Sequence, residues 1–373
     1  MEYSIPCALY RGGTSRGLFF RMDALPSDKT LWDSIFMDAI DSDNTAQIDG
    51  VGGGISSTSK VCVVGASEQP DADVDWYFYQ VGIGTHHVDH NGTCGNLMSA
   101  VGAFSIDEGL VNVDLEADER TVRIYHPNID KYIDVTVPVE QGKAKRNGDY
   151  PIAGVHRAGA KVGIAIKNPG GETTGSILPL GDTYSDQMGD ITFGDVINPF
   201  VFISSNLVGI SCTETNDALN SNPSLLDTIE LIRQRISLAS GISKTEEEAR
   251  EVYLNIPKVA IVSKPQAYVA NDKTEYNADN MDILVKAVSM GKIHKTCPAS
   301  GLYNIAVMAV MPGTVISDIV GTTSGKIREV RIGHPGGITT VTVTMSEDEQ
   351  SVIGVGVDRT IRRIMKGNIY VDI

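Results

Sequence analysis

The sequence predicts a strand-rich α+β protein built from two similar halves, each wrapped around one buried helix. Three observations predict it. Short runs of alternating β-branched and aromatic residues recur from end to end. Thirty-eight glycines stand against eight Phe and two Trp, a balance that suits tight turns more than long helices. Residues 94–110 and 300–313 are apolar on nearly every side, the mark of a helix buried all round.

The strand runs come in order. KVCVVGA (60–66), DVDWYFYQVGI (73–83), RTVRIYHP (120–127), KYIDVTVPV (131–139) and KVGIAI (161–166) occupy the first half. PFVFIS (199–204), KVAIVS (258–263), TTVTVTM (339–345), SVIGVGV (351–357) and GNIYVDI (367–373) follow in the second. Gly, Pro, Asn and Asp punctuate them. Two amphipathic helices are expected outside. One covers 222–242, with Leu225, Ile229, Ile232 and Ile236 near helical spacing and Gly241 as its stop; the other covers 277–294 and ends at Gly291.

The segment 304–316 also reads as a core strand. A helix over 300–311 is preferred because it mirrors the first buried stretch: Cys94-Gly95-Asn96 opens one, Ser300-Gly301-Leu302 the other. This weak internal duplication divides the chain into 1–185 and 186–373, with the last strand pairing back to the first half. The cleft between halves is the expected ligand site.

Composition bounds the function. The net charge of −16 disfavours nucleic acid or an anionic membrane as partner. No apolar run approaches the roughly 20 residues of a membrane span, and the N-terminus lacks a signal-peptide pattern. Five scattered cysteines without CxxC spacing point to a reducing compartment, the cytoplasm.

Four segments are too rich in Gly, Ser and Thr for plain strands: RGGTSRG (11–17), GVGGGISSTSK (50–60), NGTCGN (91–96) and GHPGG (333–337). The second lacks a Walker A ending, and its lysine precedes a strand. It reads either as a glycine turn with a surface lysine or as a cradle for carboxylates ending in Lys60. Cys94 sits at a helix entry, where the helix dipole lowers a thiol's pKa. Gly95 and Asn96 beside it allow close approach to a ligand, against the alternative of a small buried hydrophobe. Cys7, Cys62, Cys212 and Cys297 are read as structural. HHVDH (86–90) spreads His86, His87, Asp89 and His90 over both faces of a strand, so no metal site is expected. His334 either contacts a substrate carboxylate or braces a turn.

Taken together and in order, these blocks resemble the 2-methylaconitate isomerase (PrpF) family, whose members include 4-oxalomesaconate tautomerase, 3-methylitaconate isomerase and aconitate Δ-isomerase. RGGTSRG is similar to the family's RGGTSKG, with Arg16 for its lysine. GGGISSTSK, CGNLMSAVGAFSIDEGLV, NPFVF, CTE and VRIGHPGG match further blocks. The resemblance implies a diaminopimelate-epimerase-like fold of two pseudo-symmetric β-barrel halves, each around a central helix. It implies a catalytic pair on Lys60 and Cys94. Substrate contacts fall on Thr14, Ser15, Ser56, Ser57, Ser59, Gly95, Asn96, Ser300 and Gly301, with His334 added from the residue reading.

The implied activity is a cofactor-independent isomerase that shifts a C=C bond in an unsaturated tricarboxylate. Its partner is a di- or tricarboxylate, with self-association left open. An epimerase on the same scaffold is disfavoured, because Ser300 stands where two-cysteine epimerases carry a second cysteine. A non-catalytic carboxylate binder is disfavoured by the presence of both Lys60 and Cys94. Tyr303 and Asn304 depart from the family pattern and suggest a different substrate. Positive charge against the polyanion is expected from Lys60, Arg11 or Arg16, and the two helix starts.

Overall fold

The computed structural model describes residues 2–90, 92–186, 189–253, 256–289, 291–321 and 323–373. Asn91, Gln187, Met188 and Met290, which some expected segments include, lie outside the described residues. The chain forms two compact units, Met1–Lys167 with Asp358–Ile373, and Asn168–Val357. The joint expected near residue 185 thus falls inside the second unit.

In the first unit, β1 (Glu2–Gly12) turns through Gly13 and Thr14 into β2 (Ser15–Arg21), pairing Gly12 with Ser15. Helix α1 (Trp32–Ile40) leads to β3 (Lys60–Ala66), which lies parallel to β2. β4 (Val74–Val81) is antiparallel to β3. Helix α2 (Met98–Asp107) leads to β5 (Glu119–His126), parallel to β4. β6 (Lys131–Glu140) and β7 (Val162–Lys167) complete an antiparallel run. The C-terminal strand, Ile361–Asp372, pairs with β1 along its whole length.

The second unit repeats this plan. β8 (Gly189–Val196) and β9 (Asn198–Ser204) form a hairpin. Helix α3 (Pro223–Ala239) leads to β10 (Lys258–Ser263), parallel to β9. β11 (Ile283–Ser289) is antiparallel to β10. Helix α4 (Ala299–Val310) leads to β12 (Ile327–His334), parallel to β11. β13 (Gly337–Met345) and β14 (Val352–Arg359) close an antiparallel run. Each unit therefore makes the same six pairings in the same order, with one helix of nine or more residues at each parallel step.

One expected element is wrong. Residues 277–294 hold no amphipathic helix: Ile283–Ser289 is a strand bonded to β10 on one side and β12 on the other. Residues 283–288 are buried on both faces. A continuous apolar run of that length fits a central strand as well as a helix, and the two parallel and antiparallel ladders decide it. The outer helix at 223–239 does form, capped by Asn222, whose side chain accepts from the Leu225 amide at 3.2 Å.

Both inner helices are buried along every residue. Helix α2 packs on β1, β5, β6, β7 and the C-terminal strand. Its approach to β6 needs Gly102, where a Cβ would lie 2.8 Å from Val135 Cγ1 and 3.0 Å from Val137 Cγ2. A helix so enclosed must settle its last turn without water. Asp107, the last residue, has a fully buried side chain. It accepts from Tyr10 Oη at 2.6 Å and pairs with Arg146, and Arg363 lies 3.5 Å away. The two guanidiniums neutralise a carboxylate placed at the unfavourable end of the helix dipole.

Removing that carboxylate leaves Tyr10 and Arg146 facing a buried void. Asp107→Ala is expected to lower unfolding free energy by about 3–5 kcal/mol, the usual cost of breaking a buried pair. Urea denaturation of the purified protein measures it. A loss below about 1 kcal/mol would show that the network is dispensable.

Candidate active site

Strand parity fixes which way the first unit's chemistry faces. Val61 and Val63 join Trp32, Ile35 and Phe36 in the cluster under α1. Lys60, Cys62 and Val64 therefore point to the opposite face of β3. Their partners across β4 are Gln80, Phe78 and Trp76. Lys60 is nearly buried, at 9% exposure. Its ammonium donates to Gln80 Oε1 and lies 4.9 Å from the centre of the Phe78 ring. Gln80 is held in turn, its Nε2 donating to the carbonyls of Ser59 at 2.8 Å and Ser56 at 3.3 Å.

The glycine loop before Lys60 is organised by Gln47, a residue the sequence motifs do not include. Gln47 Oε1 accepts from the Gly53 and Gly54 amides, both at 2.9 Å, and from Ser59 Oγ at 2.7 Å. Its Nε2 donates to Gly82 O at 3.1 Å. A Cβ at Gly52 would strike Gln47 Oε1 at 2.2 Å, which explains one glycine of the run. Ser59 is fully buried and also donates to Ile55 O at 2.9 Å, so it holds the loop. Ser56 is exposed and Ser57 half-buried. Arg16 crosses beneath, its amide donating to Ser57 O at 2.8 Å and its guanidinium to Val51 O and Gly52 O.

Helix α2 begins at Met98, so Cys94, expected at the helix start, stands four residues before it in the turn that leads in; its carbonyl accepts from the Met98 amide at 3.2 Å. Cys94 is buried at 7% exposure. The RGGTSRG hairpin lies directly against this entry. A Cβ at Gly12 would sit 2.6 Å from Asn96 O, and one at Gly13 only 2.2 Å from Asn96 Oδ1. Only glycine permits that approach. Asn96 Nδ2 donates to Thr14 Oγ1 at 3.0 Å, and Arg359 Nε donates to Asn96 Oδ1 at 3.2 Å. Ser15 is buried beside the turn. Arg11 donates to Gly13 O and Thr360 O, each at 2.8 Å. Thr14, Ser15, Asn96 and the Cys94 turn are thus brought together, and Lys60 with Ser56, Ser57 and Ser59 forms the adjoining loop: a Cβ at Gly17 would touch both Leu97 Cδ1 at 2.8 Å and Lys60 O at 3.1 Å.

A second layer backs the pair. His126 is fully buried and stacks on Trp76, with ring centres 4.1 Å apart. Its Nδ1 meets the Trp76 carbonyl at 2.9 Å, which can only accept, so Nδ1 carries the proton. Nε2 then accepts from Thr93 Oγ1 at 2.7 Å, anchoring the residue before Cys94. Burial pushes His126 down to about 3, against a smaller upward push from the Trp76 carbonyl. Burial pushes the Cys62 thiol up; a hydrogen bond with Trp76 opposes this, Cys94 adds to it, and Lys60 opposes it. Lys60 and Cys94 are therefore both within electrostatic reach of Cys62.

The remaining expected residues belong to the second unit. Ser300 and Gly301 lie in the first turn of α4, where a Cβ at Gly301 would meet Phe200 Cζ at 2.9 Å. His334 is buried; its Nδ1 accepts from the Gly336 amide at 3.1 Å and its Nε2 donates to Thr339 Oγ1 at 3.0 Å. Of the two roles left open for it, the turn brace is the one seen. Tyr303 and Asn304 are fully buried. Asn304 donates to Gly194 O at 2.9 Å and Asn198 O at 3.0 Å, stapling the β8–β9 hairpin. The five cysteines are all buried and none is in a disulfide. In the HHVDH segment, His86 pairs with Asp43 at 3.1 Å and His90 with Asp33 at 3.0 Å. Among the described residues no group of three or more His, Cys, Asp or Glu is placed to hold a metal ion. No helix among them is long and apolar enough to cross a membrane.

The buried neutral His126 predicts an acid-sensitive fold. An unfolded histidine takes up a proton near 6.5, whereas folded His126 resists until about 3. Its contribution to stability is full above about 6.5 and is lost as pH falls toward 3, by up to about 1.4 kcal/mol per pH unit. Urea midpoints should fall between pH 6.5 and 4.5 in the wild type, and less steeply in His126→Gln. Parallel curves would remove His126 as the cause.

Comparison with known proteins agrees with this arrangement of motifs. A family model described as PrpF protein matches residues 2–372. The chain is 37% identical to 3-methylitaconate isomerase of Eubacterium barkeri, over 100% of this chain and 98% of that one. It is 34% identical to 2-methyl-aconitate isomerase of Shewanella oneidensis, over 99% and 97%. A crystal structure of methylitaconate-delta-isomerase superposes with a TM-score of 0.87 at 36% identity, covering 99% of this chain and 96% of that one. A hydroxyproline epimerase from Agrobacterium vitis shares the fold alone, with a TM-score of 0.54 at 10% identity over 100% and 94%. A model matched along almost the whole chain, and relatives above 30% identity over their full length, establish that the chain belongs to the PrpF family of isomerases.

Proposed function

We propose that this protein is a cofactor-independent isomerase that moves a carbon–carbon double bond in an unsaturated di- or tricarboxylic acid, with Lys60 and Cys94 as its proton-transfer pair. The observation that supports the reading is that the RGGTSRG hairpin packs, within one unit, against both the Lys60 strand and the turn after Cys94: Gly17 on Lys60 and Leu97, and Gly13 on Asn96. The relatives act on unsaturated acids by their names, 3-methylitaconate and 2-methyl-aconitate, and supply the substrate class.

The chemistry follows from the residues. One of the pair removes a proton from an allylic carbon. The electron pair left behind delocalises through the double bond into a carboxylate, giving a dienolate. The other partner returns a proton to the carbon two positions away, and the double bond is displaced by one. The difficult part is the negative charge of the intermediate. The backbone amides of the turn Gly95–Asn96, which leads into α2, and the Lys60 ammonium are read as the groups that meet this charge. Thr14, Ser15, Ser56 and Ser57 are read as carboxylate contacts. Ser59 acts by holding the loop. Ser300 and Gly301 are read as further carboxylate contacts, by analogy of their helix start with Cys94.

Finer features complete the proposal. Each unit is read as a β-barrel closed around its inner helix, supported by the identical pairing order in both. A cytoplasmic setting is supported by five cysteines of which none is in a disulfide. The acidic surface leaves a small-molecule anion, not a nucleic acid, as the partner.

Lys60→Met and Cys94→Ser are each expected to lower turnover by at least about a hundredfold while the fold survives. The assay incubates the protein with candidate unsaturated acids in D2O and follows loss of the allylic proton signals by NMR. Near-normal exchange in either variant sinks its assignment. Absence of exchange with every acid tested in the wild type would sink the isomerase reading itself.

A further inference from the structure

The seat of Lys60 carries a further inference, which rests on the reading of Lys60 as a proton-transfer group. A row of three side chains crosses the sheet on one face. Lys60 on β3 is opposite Gln80 on β4, and Gln80 is opposite Asp89 on the short strand Val88–Asp89. Gln80 thus separates an ammonium from a carboxylate. Its amide has only one workable orientation. Nε2 donates to the carbonyls of Ser59 at 2.8 Å and Ser56 at 3.3 Å, which accept and cannot donate. Oε1 is thereby turned to Lys60 Nζ and accepts from it. Phe78, two residues before, offers its ring face 4.9 Å from the same nitrogen.

We infer that Gln80 is the positioning residue for Lys60: it aims the amine with a neutral acceptor, so that the nitrogen is held in place yet can still give up its proton. The choice of glutamine is what matters. A carboxylate at this position would still accept from Lys60 but would bind it as an ion pair, fixing the proton, and would offer the loop carbonyls no donor. An aliphatic residue would leave Nζ without its acceptor and the loop carbonyls without a donor. Gln80 also ties Lys60's geometry to the glycine loop, because the same amide grips Ser56 and Ser59. The other ionisable groups around Lys60 among the described residues are Cys62 on its own strand, Cys94 at the helix entry, and Asp89 beyond Gln80. Phe78 and Gln80 on β4 carry no charge.

The test compares Gln80→Glu and Gln80→Leu with the wild type by kcat and KM from about pH 5.5 to 10, on an acid that the wild type turns over. Gln80→Glu is nearly isosteric and keeps the fold, which thermal denaturation checks. It is expected to lower kcat at pH 7.5 by tenfold or more and to move the limb that depends on Lys60 upward by about one pH unit or more. That direction holds whether Lys60 acts as acid or as base, since an ion pair favours the ammonium in both cases. Gln80→Leu is expected to lower kcat with KM changed less than about threefold, and to move the same limb downward or leave it undefined. If both variants lose kcat but keep the wild-type limb, Gln80 is a structural residue only and the inference falls. Retention of full activity in Gln80→Glu at pH 7.5 overturns it as well. If Lys60→Met itself remains active, the functional reading fails instead, which is a different result from an unmoved limb.

Discussion

A helix enclosed on all sides is the constraint on which the first unit depends. Helix α2 has no wet face, so its propensity and its apolar residues are only part of the problem. Its two ends must also be settled inside the protein. At the C-terminal end the carbonyls of Phe104, Ser105 and Ile106 accept from the amides of Glu108, Leu110 and Gly109, and the buried Asp107 carboxylate accepts from Tyr10 and is paired with Arg146. At the N-terminal end the answer is geometric. The β1–β2 turn is pushed so close to Asn96 that Gly12 and Gly13 admit no side chain. The motif RGGTSRG is therefore first a packing requirement of the buried helix. Chemistry at the same place follows, because the Cys94–Asn96 turn and the Thr14 hydroxyl are brought together by that packing.

The second unit solves the same folding problem with different residues. Its six strand pairings repeat those of the first, and α4 is likewise buried throughout. Yet its inner helix uses Asn304 to satisfy two carbonyls of the β8–β9 hairpin, where the first unit uses glycines and Asn96 at the turn. Lys258 opens β10 as Lys60 opens β3, and it too lies over an aromatic ring, that of Phe200 at 5.9 Å. Duplicated topology thus preserves positions more faithfully than it preserves side-chain roles. The reading of Ser300 as a replacement for a second cysteine is of this kind: the fold keeps the helix start while the residue that occupies it changes.

What the sequence made legible was whatever repeats or clusters. Strand runs, glycine turns and two helices apolar all round are patterns over many residues, and the α+β class follows from them. The helix expected over 277–294 failed because β-branched apolar residues in an unbroken run satisfy both periods, and only pairing on both edges selects the strand. Gln47, Gln80 and His126 were not legible as functional partners for a different reason. Each is a single polar residue that works through backbone carbonyls and amides far away in the chain. One signal did exist: in VDWYFYQV the parity of Trp76 and Phe78 places Gln80 on the same inward face, and a lone amide there needs partners. Ser59 shows the converse. Its motif marks a hydroxyl near the chemistry, while its burial gives that hydroxyl to Gln47 and Ile55.

Charge completes the argument. The chain carries −16, and the proposed substrate is a polyanion, so attraction has to be local. The arginines of the first motif do not supply it as open cations. Arg11 is spent on Gly13 and Thr360 carbonyls, and Arg16 on those of Val51 and Gly52. They stiffen the loops, while Lys60 is seated on a neutral amide and an aromatic face. A site of this kind draws its strength from low dielectric and fixed dipoles more than from net charge. That arrangement suits a reaction in which one further negative charge appears only in the intermediate: orientation is in place beforehand, and the strongest stabilisation comes when the dienolate forms.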